Sequence, residues 1–77
     1  MSQVQVNLFA TLRSHIGGAP SIELEIEPGQ TIEDVLDELG VPTGQTRILF
    51  LNNRAAGLHD ELHDGDQLAV FPALGGG

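Results

Sequence analysis

The spacing of apolar residues changes between Ile22 and Leu39, and that change decides what this chain can fold into. Ile22, Leu24 and Ile26 alternate with Glu23, Glu25 and Glu27, the period of a strand with one buried and one wet face. Beyond the turn pair Pro28-Gly29, Ile32, Val35, Leu36 and Leu39 recur at i, i+3, i+4 and i+7, the stripe of an amphipathic helix. Thr31 is placed to cap that helix, and Asp34 three residues on completes a capping-box pattern with Asp in place of Glu. Glu33 and Asp34 suit the positive end of the helix dipole. Gly40 fits the left-handed closing position, and Pro42 prevents continuation. A one-faced strand and a one-striped helix bury their apolar sides together only if the helix lies across a sheet.

The remaining segments supply that sheet. Val4, Val6 and Leu8 point one way, with Gln3, Gln5, Asn7 and Phe9 the other, so the chain opens on a second one-faced strand that forms a hairpin with Ile22–Ile26. Between them, Thr11 to Ile16 is expected to make a short helical turn ending at Gly17-Gly18. Arg47–Leu51 reads as a short buried strand, turned by Asn52-Asn53 into Arg54–Ala56, and Gln67–Phe71 as the last strand, introduced by Asp64-Gly65-Asp66. Gly57 to Gly65 is too short and interrupted for a second regular helix. The order β, β, α, β, short β, β predicts an α+β domain of the β-grasp, ubiquitin-like type, with one main helix packed on a mixed four- to five-stranded sheet. Residues 1–72 make up this domain and 73–77 a flexible glycine-rich arm. At 77 residues and 40% hydrophobic, the core is too small for an enclosed cofactor cavity.

Eleven acids against three bases, Arg13, Arg47 and Arg54, give a net charge of −8. Such a surface repels phosphate backbones and anionic lipid, which argues against nucleic-acid and membrane partners. The sequence has no Cys, hence no disulfide, thiolate metal site or thiol catalysis. It also lacks Lys, so no ε-amine is available for a Schiff base or an isopeptide bond. No apolar run approaches a membrane span and no signal-peptide pattern opens the chain. The expectation is a soluble, cytoplasmic protein, monomeric when free.

Three features compete as carriers of chemistry. His59-Asp60-Glu61-Leu62-His63-Asp64 superficially resembles a helical zinc-hydrolase motif, but Asp60 stands where the general base should be and the flanking glycines leave barely two turns. A solvated acidic loop without metal is expected. Glu33, Asp34, Asp37 and Glu38 lie on the polar side of the helix, with no concave site to make acid–base catalysts of them. The third feature is the glycine-rich end. By composition it is either a frayed tail or an arm whose terminal carboxylate, flanked by residues without Cβ, can enter a narrow slot. Residues 73–77 reach about 17 Å when extended.

At this point a family resemblance bears on the choice. The stretches Val6-Asn7-Leu8-Phe9-Ala10-Thr11-Leu12-Arg13 and Leu62-His63-Asp64-Gly65-Asp66-Gln67-Leu68-Ala69-Val70-Phe71-Pro72, with the final Gly76-Gly77, resemble the ThiS/MoaD sulfur carriers from one end of the chain to the other. The Phe-Ala-x-Leu-Arg opening and Pro72 are more similar to the molybdopterin-synthase small subunit than to the thiamine-pathway carrier, while Gly75 is a small departure. The resemblance implies that an ATP-dependent, E1-like activating enzyme adenylates the Gly77 carboxylate. A sulfur donor then displaces AMP to leave a thiocarboxylate, and the sulfur passes to a biosynthetic acceptor, in the most similar subfamily a pterin precursor held by the large subunit of molybdopterin synthase. The chain itself would bind no cofactor and supply no catalytic side chain; it would be a protein co-substrate. Gly76 and Gly77 are then the reacting end, and Phe9, Phe71, Leu74 and Gly75 the residues that meet partners.

Phe9 and Phe71 follow from alternation: if Val6, Leu8, Leu68 and Val70 face the helix, both rings fall on the opposite face, joined by Ile48 and Phe50 or by Leu49 and Leu51. Aromatic anchors ringed by acids would suit a partner with a basic rim. Other readings share the same fold: a carrier for a thiamine or cysteine pathway, a ubiquitin-like protein modifier, or a β-grasp interaction module with an inert tail.

Overall fold

The computed structural model describes residues 2–72, and these form a β-grasp. Strands β1 (Ser2–Leu8), β2 (Ser21–Ile26), β3 (Thr46–Leu51), β4 (Arg54–Ala56) and β5 (Gln67–Pro72) make one mixed sheet in the order β2-β1-β5-β3-β4, and helix α1 (Ile32–Leu39) packs on one face. β1 pairs antiparallel with β2 and parallel with β5, so the first and last strands lie side by side at the centre. On β1 the expected alternation holds, with Val4, Val6 and Leu8 buried.

Helix α1 is secured at its start by several independent partners. The Asp34 N–H donates to Thr31 Oγ1 at 3.3 Å and the Thr31 N–H donates to Asp34 Oδ2 at 3.0 Å, which completes the capping box. The Ile32 and Glu33 N–H groups donate to the Asp60 and Leu58 carbonyls at 3.0 and 2.9 Å. A helix leaves its first N–H groups without intrahelical acceptors, and here the loop after β4 supplies them. Gly40, at φ 78°, takes the left-handed conformation that ends the helix, and its missing Cβ makes that conformation cheap.

The core consists of Ile32, Val35 and Leu36 from α1 against Val4, Val6, Leu8, Ile26, Leu49, Leu68 and Val70 from the sheet, closed by Leu12, Val41 and Leu62. Leu24 and Leu39, expected in the centre, pack at its rim. β2 is an edge strand, so its side chains have neighbours on one flank only. The short helical turn expected before Gly17-Gly18 is a 3-10 helix over Ala10–Ile16, and a second short 3-10 turn occupies Thr43–Gln45 within the loop before β3. The β3–β4 hairpin turns on Asn52 and Asn53 at φ 53° and 70°, the paired left-handed geometry that matches the twist of the strands.

Because Leu36 is fully buried, Leu36→Ala should destabilise the fold by about 2–5 kcal/mol. Leu39→Ala, at the rim, should cost about 1 kcal/mol. Urea unfolding midpoints at unchanged slope would check both values; equal losses would mean that the helix is seated in another rotation.

Candidate functional site

The face of the sheet away from α1 has no helix on it, and the strand register gathers the aromatic residues at one end of it. Leu8 lies beside Val70 in the parallel β1–β5 pair, so Phe9, the next residue, comes beside Phe71. The Phe9 N–H continues the ladder by donating to the Val70 carbonyl at 3.3 Å. The two rings stack, with centroids 4.4 Å apart and planes 4° from parallel. Phe50, diagonal to Phe71 across the β3–β5 pair, meets it edge to face at 5.8 Å. Ile48, directly opposite Phe71, is 45% exposed. The strand register thus resolves the open choice on β3: Ile48 and Phe50 join the cluster, while Leu49 is buried on the helix side. The three rings are half-buried because they cover one another.

Two arginines border this cluster. Arg13 donates from Nε to the Leu8 carbonyl at 3.0 Å and its guanidinium lies 5.9 Å from the centre of the Phe9 ring. Arg47 owes its place to a break in strand register. Thr46 pairs with Pro72 and Ile48 with Phe71, so Arg47 is an extra residue on β3. Such a bulge re-aims a side chain that strict alternation would send to the other face, and Arg47 lines the same groove as Ile48, with Phe9, Ala10, Phe71 and Pro72. Among the described residues that lining contains no carboxylate, and two cations border the aromatic residues in place of the expected ring of acids. Among the described residues none of the arginines forms an ion pair. Ala10 adopts φ 54°, a left-handed conformation costly for a residue with a Cβ, and it turns the chain sharply after Phe9. Neither the bulge nor this turn has a signature in the sequence.

The His59–Asp64 segment lies on loops and turns. His59 and His63 sit on non-helical loop on either side of the short Thr31–Glu61 bridge. Asp60 accepts the Gly57 N–H at 2.8 Å, Asp64 accepts the Gln3 N–H at 2.8 Å, and Asp66 accepts the His63 N–H at 2.7 Å and the Asn52 side-chain amide at 2.9 Å. These bonds fasten the approach to β5 onto β1 and onto the β3–β4 turn. Among the described residues no three His, Cys, Asp or Glu side chains come together to hold a metal, and no polar side chain is buried. No described helix is long and apolar enough to cross a membrane. Leu74, Gly75, Gly76 and Gly77 lie outside the described residues.

A mixed sheet with β1 and β5 adjacent at its centre and one helix across it defines the class, the ubiquitin-like β-grasp proteins. The ThiS family model matches residues 6–77, and the chain belongs to the ThiS family. A putative molybdopterin converting factor subunit 1 from Pyrococcus furiosus is similar at 25% identity and TM-score 0.77, over 96% of this chain and 100% of that one. The small archaeal modifier protein 1 of Methanosarcina acetivorans is similar at 25% identity and TM-score 0.74, over 100% and 98% of the two chains. A chain of the Amycolatopsis orientalis BexX/CysO complex is similar at 27% identity and TM-score 0.66, over 96% and 99%. Comparison with curated protein sequences finds no significant match.

Stacked, half-buried rings contribute to stability as well as to the surface. Phe71→Ala should cost about 1–2 kcal/mol through lost area and ring pairing, less than Leu36→Ala. Asp66→Ala should cost about 1 kcal/mol by removing two solvent-exposed hydrogen bonds to its carboxylate. Chemical denaturation would measure both; a neutral Asp66→Ala would show that the clamp at the start of β5 is not needed.

Proposed function

We propose that this chain is a sulfur carrier whose reacting group is the main-chain carboxylate of Gly77. The observation that supports it best is the family match, which spans residues 6–77 and so includes Gly76 and Gly77. In this reading an ATP-dependent, E1-like enzyme joins the carboxylate to AMP with release of pyrophosphate. The mixed anhydride converts a poor electrophile into one with a good leaving group. A sulfur donor then expels AMP and leaves a thiocarboxylate, a soft nucleophile that stays ionised at neutral pH and passes its sulfur to an acceptor. Molybdopterin synthesis, with the large subunit of the synthase as acceptor, is the pathway favoured by the likeness to the Pyrococcus furiosus subunit.

The chain's own side chains bind and orient in this scheme. The Phe9, Phe50, Phe71 and Ile48 cluster lies where β5 ends at Pro72, so an enzyme docked there would hold the start of the 73–77 arm. Such aromatic clusters make good anchors because truncating them loses large desolvated areas. With Arg13 and Arg47 at its border, the cluster favours an enzyme surface bearing carboxylates at that point. Leu74, Gly75 and Gly76 would then pass through a slot too narrow for substituted residues. The protein would work in the cytoplasm, bind no cofactor and act as a co-substrate, ATP being consumed by its partner.

A modifier role is the second reading, favoured by the likeness to small archaeal modifier protein 1. Both begin with the same adenylate, and they differ in whether the activated end meets a sulfur donor or a lysine amine. A chain without Lys or Cys captures its own activated end neither as an amide nor as a thioester.

Incubation with an activating enzyme, ATP and sulfide, followed by intact-mass analysis, should show sulfur replacing one oxygen. Deleting Gly77 withdraws the carboxylate by about 3.5 Å, and misplacement by about 1 Å already costs on the order of a hundredfold in rate. Extending the chain by one residue buries the intended carboxyl in an amide and should be as harmful. Both tail variants should keep native thermal stability, and His59→Ala/His63→Ala should be sulfurated normally. Native rates for the altered tails, or a dead His variant alone, would overturn the carrier reading; conjugates to lysine in place of the thiocarboxylate would favour the modifier.

A further inference from the structure

The sheet has two edges of unequal character. β4 is a three-residue strand, whereas β2 runs from Ser21 to Ile26 with β1 on one side only. The ladder phase shows which groups of β2 are left over. The Leu8 N–H donates to the Pro20 carbonyl, and Leu8 with Pro20 continues the register Val6↔Ile22, Val4↔Leu24. Hydrogen-bonded pairs alternate along an antiparallel ladder, so Ile22, Leu24 and Ile26 bond towards β1. The N–H and C=O groups of Ser21, Glu23 and Glu25 therefore point outward, away from β1, and among the described residues no other strand lies beside β2.

The side chains on this edge choose what can pair with it. Glu23 and Glu25 stand opposite Gln5 and Gln3 on β1, neutral amides, and among the described residues neither carboxylate has an ion-pair partner. Glu27, with Glu38 from α1, lines a depression at the end of the same edge. On the helix side, Ile22 and Leu24 are partly exposed. A second copy of this chain added through β2 would set glutamates against glutamates, and like charges directly opposite destabilise a strand pair. The edge therefore rejects itself while remaining open to a cationic strand.

We propose that β2 is a docking edge for an extended peptide segment of another protein, added antiparallel, with Lys or Arg alternating with β-branched apolar residues. The basic side chains lie beside Glu23 and Glu25 on the open face, and the apolar ones cover Ile22 and Leu24 beside α1. Main-chain bonds supply affinity and the alternating side chains supply selectivity, as in other strand additions. This site is separate from the aromatic cluster around Phe71 and does not rest on the sulfur-carrier reading.

In an antiparallel addition the residues facing Glu23 and Glu25 are those whose own N–H groups bond to β2. Three peptides of equal charge separate strand pairing from general attraction to an acidic protein: acetyl-Lys-Val-Lys-Val-Lys-Val-amide, the same peptide N-methylated at its lysines, and the same peptide N-methylated at its valines. The unmodified and valine-methylated peptides should bind alike and slow exchange of the Glu23 and Glu25 amide hydrogens. The lysine-methylated peptide should bind about tenfold or more weakly, because its pairing donors are blocked. Glu23→Gln/Glu25→Gln, a change at exposed positions, should weaken the unmodified peptide several-fold. Equal binding of the two methylated peptides, or shifts confined to the Phe9 and Phe71 region, would overturn the proposal.

Discussion

The parallel pairing of β1 with β5 is the contact on which the rest of the structure depends. It joins the two ends of the described chain and places Val6 beside Leu68 and Leu8 beside Val70, all fully buried under α1. A pairing between strands some sixty residues apart is made against the entropy of closing nearly the whole chain. The compensating terms sit close by. Apolar area is buried on both strands, and the Asp64-Gly65-Asp66 turn is bonded to β1 through Gln3 and Gln5. β2 pairs with β1 and β3 with β5 on either side of this centre, and α1 covers one face.

The same pairing determines what the open face offers. Parallel register places Phe9 one step beyond Leu8 and Phe71 one step beyond Val70, so two rings from opposite ends of the sequence stack without any intervening element. From there the face grades across the sheet: Phe71, Phe50 and Ile48 on the β5–β3 side, the amides Gln3, Gln5 and Asn7 on β1, and Glu23 and Glu25 on the β2 edge. One face therefore carries an apolar and weakly cationic end and an acidic edge, and a partner suited to one is unsuited to the other. Net charge alone, which averages these, points to a basic partner everywhere and is misleading at the aromatic end.

Features with a period were legible in the sequence, and features that break one were not. The alternation in β1 and β2, the i, i+3, i+4 stripe of α1, its capping box and the Asn52-Asn53 turn all have local causes and appear where those causes place them. Leu12, Val41 and Leu62 are buried from 3-10 and loop segments that have no repeat to reveal their facing. The bulge at Arg47 depends on how β3 meets Pro72, and the left-handed Ala10 on how β1 must turn once Phe9 is stacked. Both are consequences of tertiary contact. They also place the two arginines beside the cluster, so the least legible part of the fold shapes its charge at the candidate site.

An acidic chain offers many apparent catalysts, and the structure shows why several of them are spoken for. Asp34, Asp60, Asp64 and Asp66 each accept a main-chain N–H at 2.7–3.0 Å, and a carboxylate held this way fixes a turn rather than moving a proton. Glu23 and Glu25 are exposed on an edge strand. In the proposed carrier role the chemistry belongs to the main-chain carboxylate, and the side chains shape a surface for an enzyme that brings the catalytic groups.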